Sequence, residues 1–304
     1  LDIKEGETMK KINVMVVFGG KSGEHEVSLM SVTSILKVMS REKYNIIPVG
    51  ITKEGIWKRY NGPIDKIATG EWEALAQEEE IISLGKNNSE GIDVVFPVLH
   101  GPFGEDGTLQ GLLEMLDIPY VGAGVLASAV AMDKAITKKL CAFENIPQAK
   151  YIEVLYKSYL KEKEKYINEV EEKLGYPVFV KPANLGSSVG INKAKDRKQL
   201  IASVETAFQY DRKIVVEEFI NGREIECSVL GNDEASASYP AEIIPSQEFY
   251  DYEDKYFSGT SKFQIPAELP ETITEEIRNL ALKVYRLLDC SGLSRVDFFV
   301  ERGT

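Results

Sequence analysis

Histidine is almost missing from this chain: 304 residues contain two, His25 and His100, which argues against a His-rich zinc site. Cysteine is nearly as scarce. Cys141, Cys227 and Cys290 are widely spaced, each in apolar surroundings. That pattern fits buried thiols in a reducing, cytoplasmic setting and not a disulfide framework. No apolar stretch approaches the roughly 20 residues of a membrane span, and no signal-peptide pattern is visible. Basic residues are outnumbered, 36 Lys and Arg against 48 Asp and Glu, for a net charge of -12. No basic face is left to neutralise a nucleic-acid backbone, although a small anion needs only a few placed lysines. Internal repeats and low-complexity tracts are absent as well.

What remains is a globular composition, 43% hydrophobic and 28% charged, long enough for two or three domains. The octet LDIKEGET before Met9 stands outside the periodic pattern. From Ile12, INVMVVF reads as a buried strand, and Leu29, Val32, Leu36 and Met39 mark one helical face. NIIPVGIT and DVVFPVLHG read as further strands, and Thr108 as the cap of a helix carrying Leu109, Leu112, Leu113 and Leu116. Strands alternating with helices predict a parallel sheet with ligands beyond its carboxyl ends. The GGKSGEHE and LHGPFGEDG turns both lie there. The first contains GKS, but Met15 stands where a P-loop needs its earlier glycine, so that pattern fails.

After Gly122, ASAVAMDKAITKKLCAFEN reads as one long helix, followed by the strand AKYIEV and a charged helix ending at a glycine cap. YPVFVKPANLGSSVGINKA reads as strand, glycine loop, strand, and DRKQLIASVETAF as a helix. KIVVEEFINGREIECSVLG reads as two strands joined in a hairpin at Asn221-Gly222. A long aromatic stretch, SQEFYDYEDKYFSGTSKFQIPAE, has the length of a functional loop. A helix, ITEEIRNLALKVYRLLD, and a buried-type strand, SRVDFFVE, follow.

Taken singly, these segments leave alternatives open. KPANLGSSVG is an ordinary flexible loop or a phosphate cradle with Lys181 at the strand end and Ser187 and Ser188 as donors. Glu217, Glu218 and Glu224 are acidic surface or a base-and-ribose site. Arg295 and Asp297, two apart on a strand, share a face, either as a structural ion pair or as groups for phosphoryl transfer. His100 is a satisfied polar residue or a site residue.

In combination, GGxSxEHEVSL, LHGxxGEDGTLQG, MDK, VKPxxxGSSVG, EEFxxGxE, YDYEDKY and SRVD resemble the D-alanine–D-alanine ligase family of the ATP-grasp superfamily, from about Lys10 to Glu301. The resemblance implies an α/β and α+β ATP-grasp fold with an amino-terminal parallel-sheet (preATP-grasp) domain. The implied boundaries are 1–122 for that substrate-side domain, 123–217 for the central subdomain and 218–304 for the carboxy-terminal one. It implies ligation of two D-alanine molecules through an acyl phosphate, with ATP as co-substrate and Mg²⁺ or Mn²⁺ as cofactor, in a homodimer supplying the cell wall. Lys134, Lys181, Ser188 and Lys255 would face the phosphates, and Glu217, Ile220 and Glu224 the adenosine. Asp297 would bind metal and Arg295 would meet developing negative charge. Glu24 and His100 would receive the first D-alanine, with Glu24, Ser187 and Tyr256 forming one hydrogen-bonded set. The remaining metal ligands are expected beyond Thr304. D-serine or D-lactate as acceptor, or a non-catalytic nucleotide-binding form if the chain truly ends there, are the alternatives.

Overall fold

The computed structural model describes residues 10–78, 91–186, 188–244 and 262–301. It divides into two compact units, Leu1–Val125 and Leu126–Thr304.

The first unit runs β1 (Ile12–Gly19), α1 (His25–Val38), β2 (Tyr44–Ile51), β3 (Trp57–Arg59), α2 (Asp65–Ala68), α3 (Trp72–Leu75), β4 (Gln77–Glu78), β5 (Val94–Val98) and α4 (Thr108–Met115). Consecutive apolar residues from Val14 to Phe18 bury both faces of β1. Val14, Val16 and Phe18 pack on Leu29, Val32 and Leu36 of α1, while Met15 and Val17 pack toward Leu109 and Leu113 of α4. The strand order is β4-β3-β2-β1-β5, with β1 parallel to both β2 and β5. The expected parallel sheet is present at β2-β1-β5, and β3 and β4 extend it with antiparallel pairing. A tight turn explains this, since Thr52 N–H donates to Ile56 C=O at 2.9 Å and a loop that short returns the chain beside its own strand. Thr108 is not the cap of α4. Gly107, at φ 89°, holds that position, and Asp106 accepts the Thr108 N–H at 2.9 Å.

The second unit runs α5 (Val125–Met132), α6 (Lys134–Phe143), β6 (Tyr151–Leu155), α7 (Tyr156–Lys173), β7 (Val178–Pro182), β8 (Asn192–Ala194), α8 (Arg197–Ala207), β9 (Lys213–Glu218), β10 (Gly222–Gly231), β11 (Ser236–Ala237), β12 (Ala241–Ile244), β13 (Lys262–Gln264), α9 (Glu271–Leu287) and β14 (Gly292–Glu301). The long helix expected after Gly122 is two. Asp133 adopts an extended backbone and its carboxylate accepts the N–H groups of Ala135 and Ile136, so it starts α6 afresh.

The Asn221-Gly222 hairpin is also corrected. β9 belongs to the antiparallel sheet β6-β9-β7-β8, whereas β10 pairs with β11, β12 and β14 in another. Ten residues of β10 align with β14, a longer ladder than a local hairpin would supply. SRVDFFVE, expected as a buried strand, is half-buried on one side and exposed on the other. Its Val296, Phe298 and Val300 join Ile225, Cys227 and Val229 of β10 beneath α9, and Phe299 faces outward at 52% exposure.

Candidate functional site

In the first unit the chain winds from β1 to β2 on one side and later places β5 on the other. A parallel sheet opens a crevice at such a reversal, outside its carboxyl ends. Both glycine turns meet there. Gly19, at φ +85°, lies so near β2 that a β-carbon on it would stand 2.4 Å from the Ile51 carbonyl oxygen. Ser28 of α1 ties the two strand ends: its Oγ accepts the Gly19 N–H at 2.7 Å and donates to the Val98 carbonyl. His25 is buried with Nδ1 2.7 Å from the Gly20 carbonyl oxygen.

Glu24 begins the next turn and is 5% exposed. Its carboxylate lies against Gly101, whose N–H donates to Glu105 at 2.6 Å. His100 Nε2 is 3.0 Å from Ser31 Oγ, and the His100 carbonyl accepts from Ser22 Oγ at 2.7 Å. So Glu24 and His100, predicted from sequence, do come together. Ser22 and Ser31, which bond to them, and Ser28 and Glu105, which tie the neighbouring backbone, were missed. Ser28 carried a signal, because a polar residue one helical turn before Val32 lies in the buried stripe and needs partners there. Alongside the turns is a cavity of about 350 Å³, whose walls include Trp57, Leu99, Phe103 and Leu112.

In the second unit, one face of the β6-β9-β7-β8 sheet packs its apolar residues, Val178, Val180, Ile214 and Val216, against α7 and α8. The other face carries Tyr151, Glu153, Phe179, Lys181, Lys213 and Glu217, and α6 lies across it. Lys134 and Lys138, four apart on α6, share a side of that helix. Glu217 is the hub. Its Oε2 accepts from Lys181 Nζ at 2.7 Å, and its Oε1 lies 3.4 Å from Lys138 Nζ. Burial opposes ionisation of Glu217, but the two lysines outweigh it and hold the carboxyl below its ordinary range. Lys134 Nζ donates to the Leu185 carbonyl at 2.5 Å, and burial, reinforced by the charge of Lys181, pushes its pKa down to about 8. The Asp133 carboxyl is likewise lowered, with burial opposed by its bond to Lys213.

The glycine loop after β7 is pinned at its start. Ala183 C=O accepts the Lys134 N–H at 3.0 Å, and Asp211 accepts both the N–H and the side-chain amide of Asn184, at 2.9 and 2.8 Å. Ser188 follows in the left-handed region at φ 61°. Ile220 lies just beyond β9, next to Phe219, whose ring carries Lys193 Nζ 4.0 Å from its centroid. Lys138 and Lys193 are further residues that sequence reading missed. Ser187, Lys255 and Tyr256 lie outside the described residues.

On the second sheet, burial of Ile225, Cys227 and Val229 leaves Glu224 and Glu226 on the opposite face of β10. Arg295 and Asp297 occupy that face of β14. Arg295 donates to both Asp297 oxygens, at 2.7 and 2.9 Å, and its Nε lies 3.1 Å from Glu226. Among the described residues no group of three His, Cys, Asp or Glu is placed to hold a metal ion. Mg²⁺ commonly takes one or two protein carboxylates and fills its octahedron with phosphate oxygens and water, so the Asp297 and Glu226 pair fits it in kind.

Residues 13–123 match the family described as D-ala D-ala ligase N-terminus, and residues 140–304 match D-ala D-ala ligase C-terminus. The D-alanine–D-alanine ligase of Acetivibrio thermocellus is 52% identical, with 97% of this chain and 85% of the relative covered. That of Caldicellulosiruptor bescii is 51% identical, covering 97% and 84%. Among solved structures, the VanG D-Ala:D-Ser ligase from Enterococcus faecalis superposes with a TM-score of 0.84 at 38% identity, covering 96% of this chain and 87% of that one. The D-alanine-D-alanine ligase from Coxiella burnetii gives 0.81 at 34% identity, covering 96% and 82%. The mixed sheet followed by two antiparallel ones is the ATP-grasp architecture expected from the sequence. By both domain matches and by half-identical relatives along nearly its whole length, the chain belongs to the D-alanine–D-alanine ligase family.

Proposed function

We propose that this protein joins two D-alanine molecules at the expense of ATP. The observation that carries the reading is the 52% identity with a D-alanine–D-alanine ligase across 97% of the chain. The geometry supports it, because a crevice lined by His100, with Glu24 against the adjoining Gly101, and a lysine-bearing face around Glu217 suit the two sites such a reaction needs. We assign residues 1–122 to the amino-acid side, and 123–217 and 218–304 to the two halves that hold nucleotide. A cytoplasmic homodimer is part of the same proposal.

In the first step a carboxylate oxygen of one D-alanine attacks the γ-phosphorus of ATP. The new O–P bond replaces the bond to the β-phosphate oxygen, and ADP leaves. In the second, the neutral amine of another D-alanine attacks the acyl carbon; the C–O bond to phosphate breaks and the nitrogen gives up a proton. Glu24 would hold the first ammonium group by charge, with His100 beside it. Lys134 and Lys181 would meet the phosphates, with Ser188 and its loop above them. Glu217, Ile220 and Glu224 would receive adenosine. Arg295 would stabilise the negative charge that gathers in both steps. Asp297 would hold Mg²⁺ or Mn²⁺, which when bound supplies Lewis-acid stabilisation of phosphate oxygens. A closed site would keep water from the acyl phosphate.

Phosphate release from ATP tests the proposal. It should require D-alanine and be absent with L-alanine; equal turnover with both, or none with either, overturns it. D-serine in the second position is the alternative suggested by the 38% identity to a D-Ala:D-Ser ligase, and competition between D-alanine and D-serine for product decides it.

A further inference from the structure

Lys138 has no part in the roles above, yet it is built into the same face. Its side chain is 14% exposed against 10% for Glu217. The ammonium lies 3.4 Å from Glu217 Oε1, 3.5 Å from the Ala149 carbonyl and 5.1 Å from the centre of the Tyr151 ring. The other lysine on Glu217 is differently placed: Lys181 sits near the end of β7, beside the glycine loop. One buried carboxylate thus has two cations. A phosphate drawn into the loop would compete for Lys181, leaving Lys138, fixed by helix, ring and carbonyl, as the constant partner.

We infer that Lys138 is a specificity-determining positioning residue, which keeps Glu217 a fixed hydrogen-bond acceptor and so selects a purine bearing an exocyclic amino group over one bearing an oxo group. The inference rests on the nucleotide reading of this face. An ionised carboxylate can only accept, so it welcomes the 6-amino group of adenine and repels a 6-oxo oxygen. A protonated carboxyl, or one swung wholly onto Lys181, loses that distinction. Burial alone pushes Glu217 toward the protonated form, and the cations facing it, Lys181 from β7 and Lys138 from α6, oppose this.

The test compares ATP and inosine triphosphate binding by calorimetry, using the full chain as wild type, Lys138→Met, Glu217→Gln and the double variant. Wild type should favour ATP. Lys138→Met should lower that preference about tenfold, the scale of one charge-assisted hydrogen bond. Glu217→Gln should lower it similarly, and adding Lys138→Met to it should change nothing further, because one residue acts through the other. Lys138→Gln gives the same comparison if the Met variant does not fold. A folded Lys138 variant with the wild-type preference, or additive losses in the double variant, overturns the inference and leaves the nucleotide reading standing. Wild-type protein that binds no ATP overturns both.

Discussion

Glu24 and Gly101 touch so closely that a β-carbon added to Gly101 would stand 2.2 Å from Glu24 Oε2. The two glycine turns are therefore one object: the second makes room for the carboxylate of the first. Gly101 also sits at φ +71°, where an L side chain is strained.

Gly101→Ala should push the flexible end of Glu24 aside while the backbone holds. The expected result is a D-alanine KM raised roughly tenfold, a charge-assisted contact misplaced, with ATP affinity unchanged. Left-handed strain should cost about 1–2 kcal/mol in urea unfolding. A variant weakened toward ATP instead would separate Glu24 from the amino-acid site.

Lys181→Ala removes one of the two cations on Glu217, at the strand end that leads into the glycine loop. Turnover should fall by about 10²-fold or more, as for loss of one preorganised donor, with weaker ATP binding. Wild-type kinetics would make KPANLGSSVG ordinary surface.

With Lys134 proposed to face the phosphates, nucleotide binding should depend on pH. The Lys134 pKa of about 8 means the free protein loses this charge above that value, while a bound polyphosphate favours the charged form. Binding should take up a proton, and affinity should decline as pH rises past about 8. For folding the sign is opposite. The folded pKa lies below the unfolded lysine value, so unfolding takes up a proton in the window between them and this group's contribution to stability rises with pH there. Lys134→Met should flatten both profiles; parallel wild-type and variant curves would rule the assignment out.

Ser28→Ala tests the tie between β1 and β5. It strips the Gly19 N–H and the Val98 carbonyl of a shared buried partner, and unfolding in urea should show a loss of about 1–3 kcal/mol. An unchanged midpoint would mean water replaces the hydroxyl.

What the sequence revealed, and what it hid, follows from the range of each interaction. β1 was legible because consecutive apolar residues leave no polar face, and the Arg295–Asp297 pair because a spacing of two on a strand fixes a shared side. Glycines after strand ends located the crevice. Asn221-Gly222 misled because a turn dipeptide reports local geometry, while β10 is claimed by β14, some seventy positions later in the chain. The partners of Lys138 and Ser28 were hidden for the same reason. Glu217 and Val98 come from strands that sequence distance conceals.

Asp133 sets the angular phase of α6. The same residue starts the helix, through the N–H groups of Ala135 and Ile136, and clamps it to the sheet through Lys213. Every side chain of α6 therefore points in a direction counted from one fixed origin. An extra residue between Asp133 and Lys134 would advance the whole helix by roughly 100° of azimuth and carry both lysines off the sheet, without altering a single side chain.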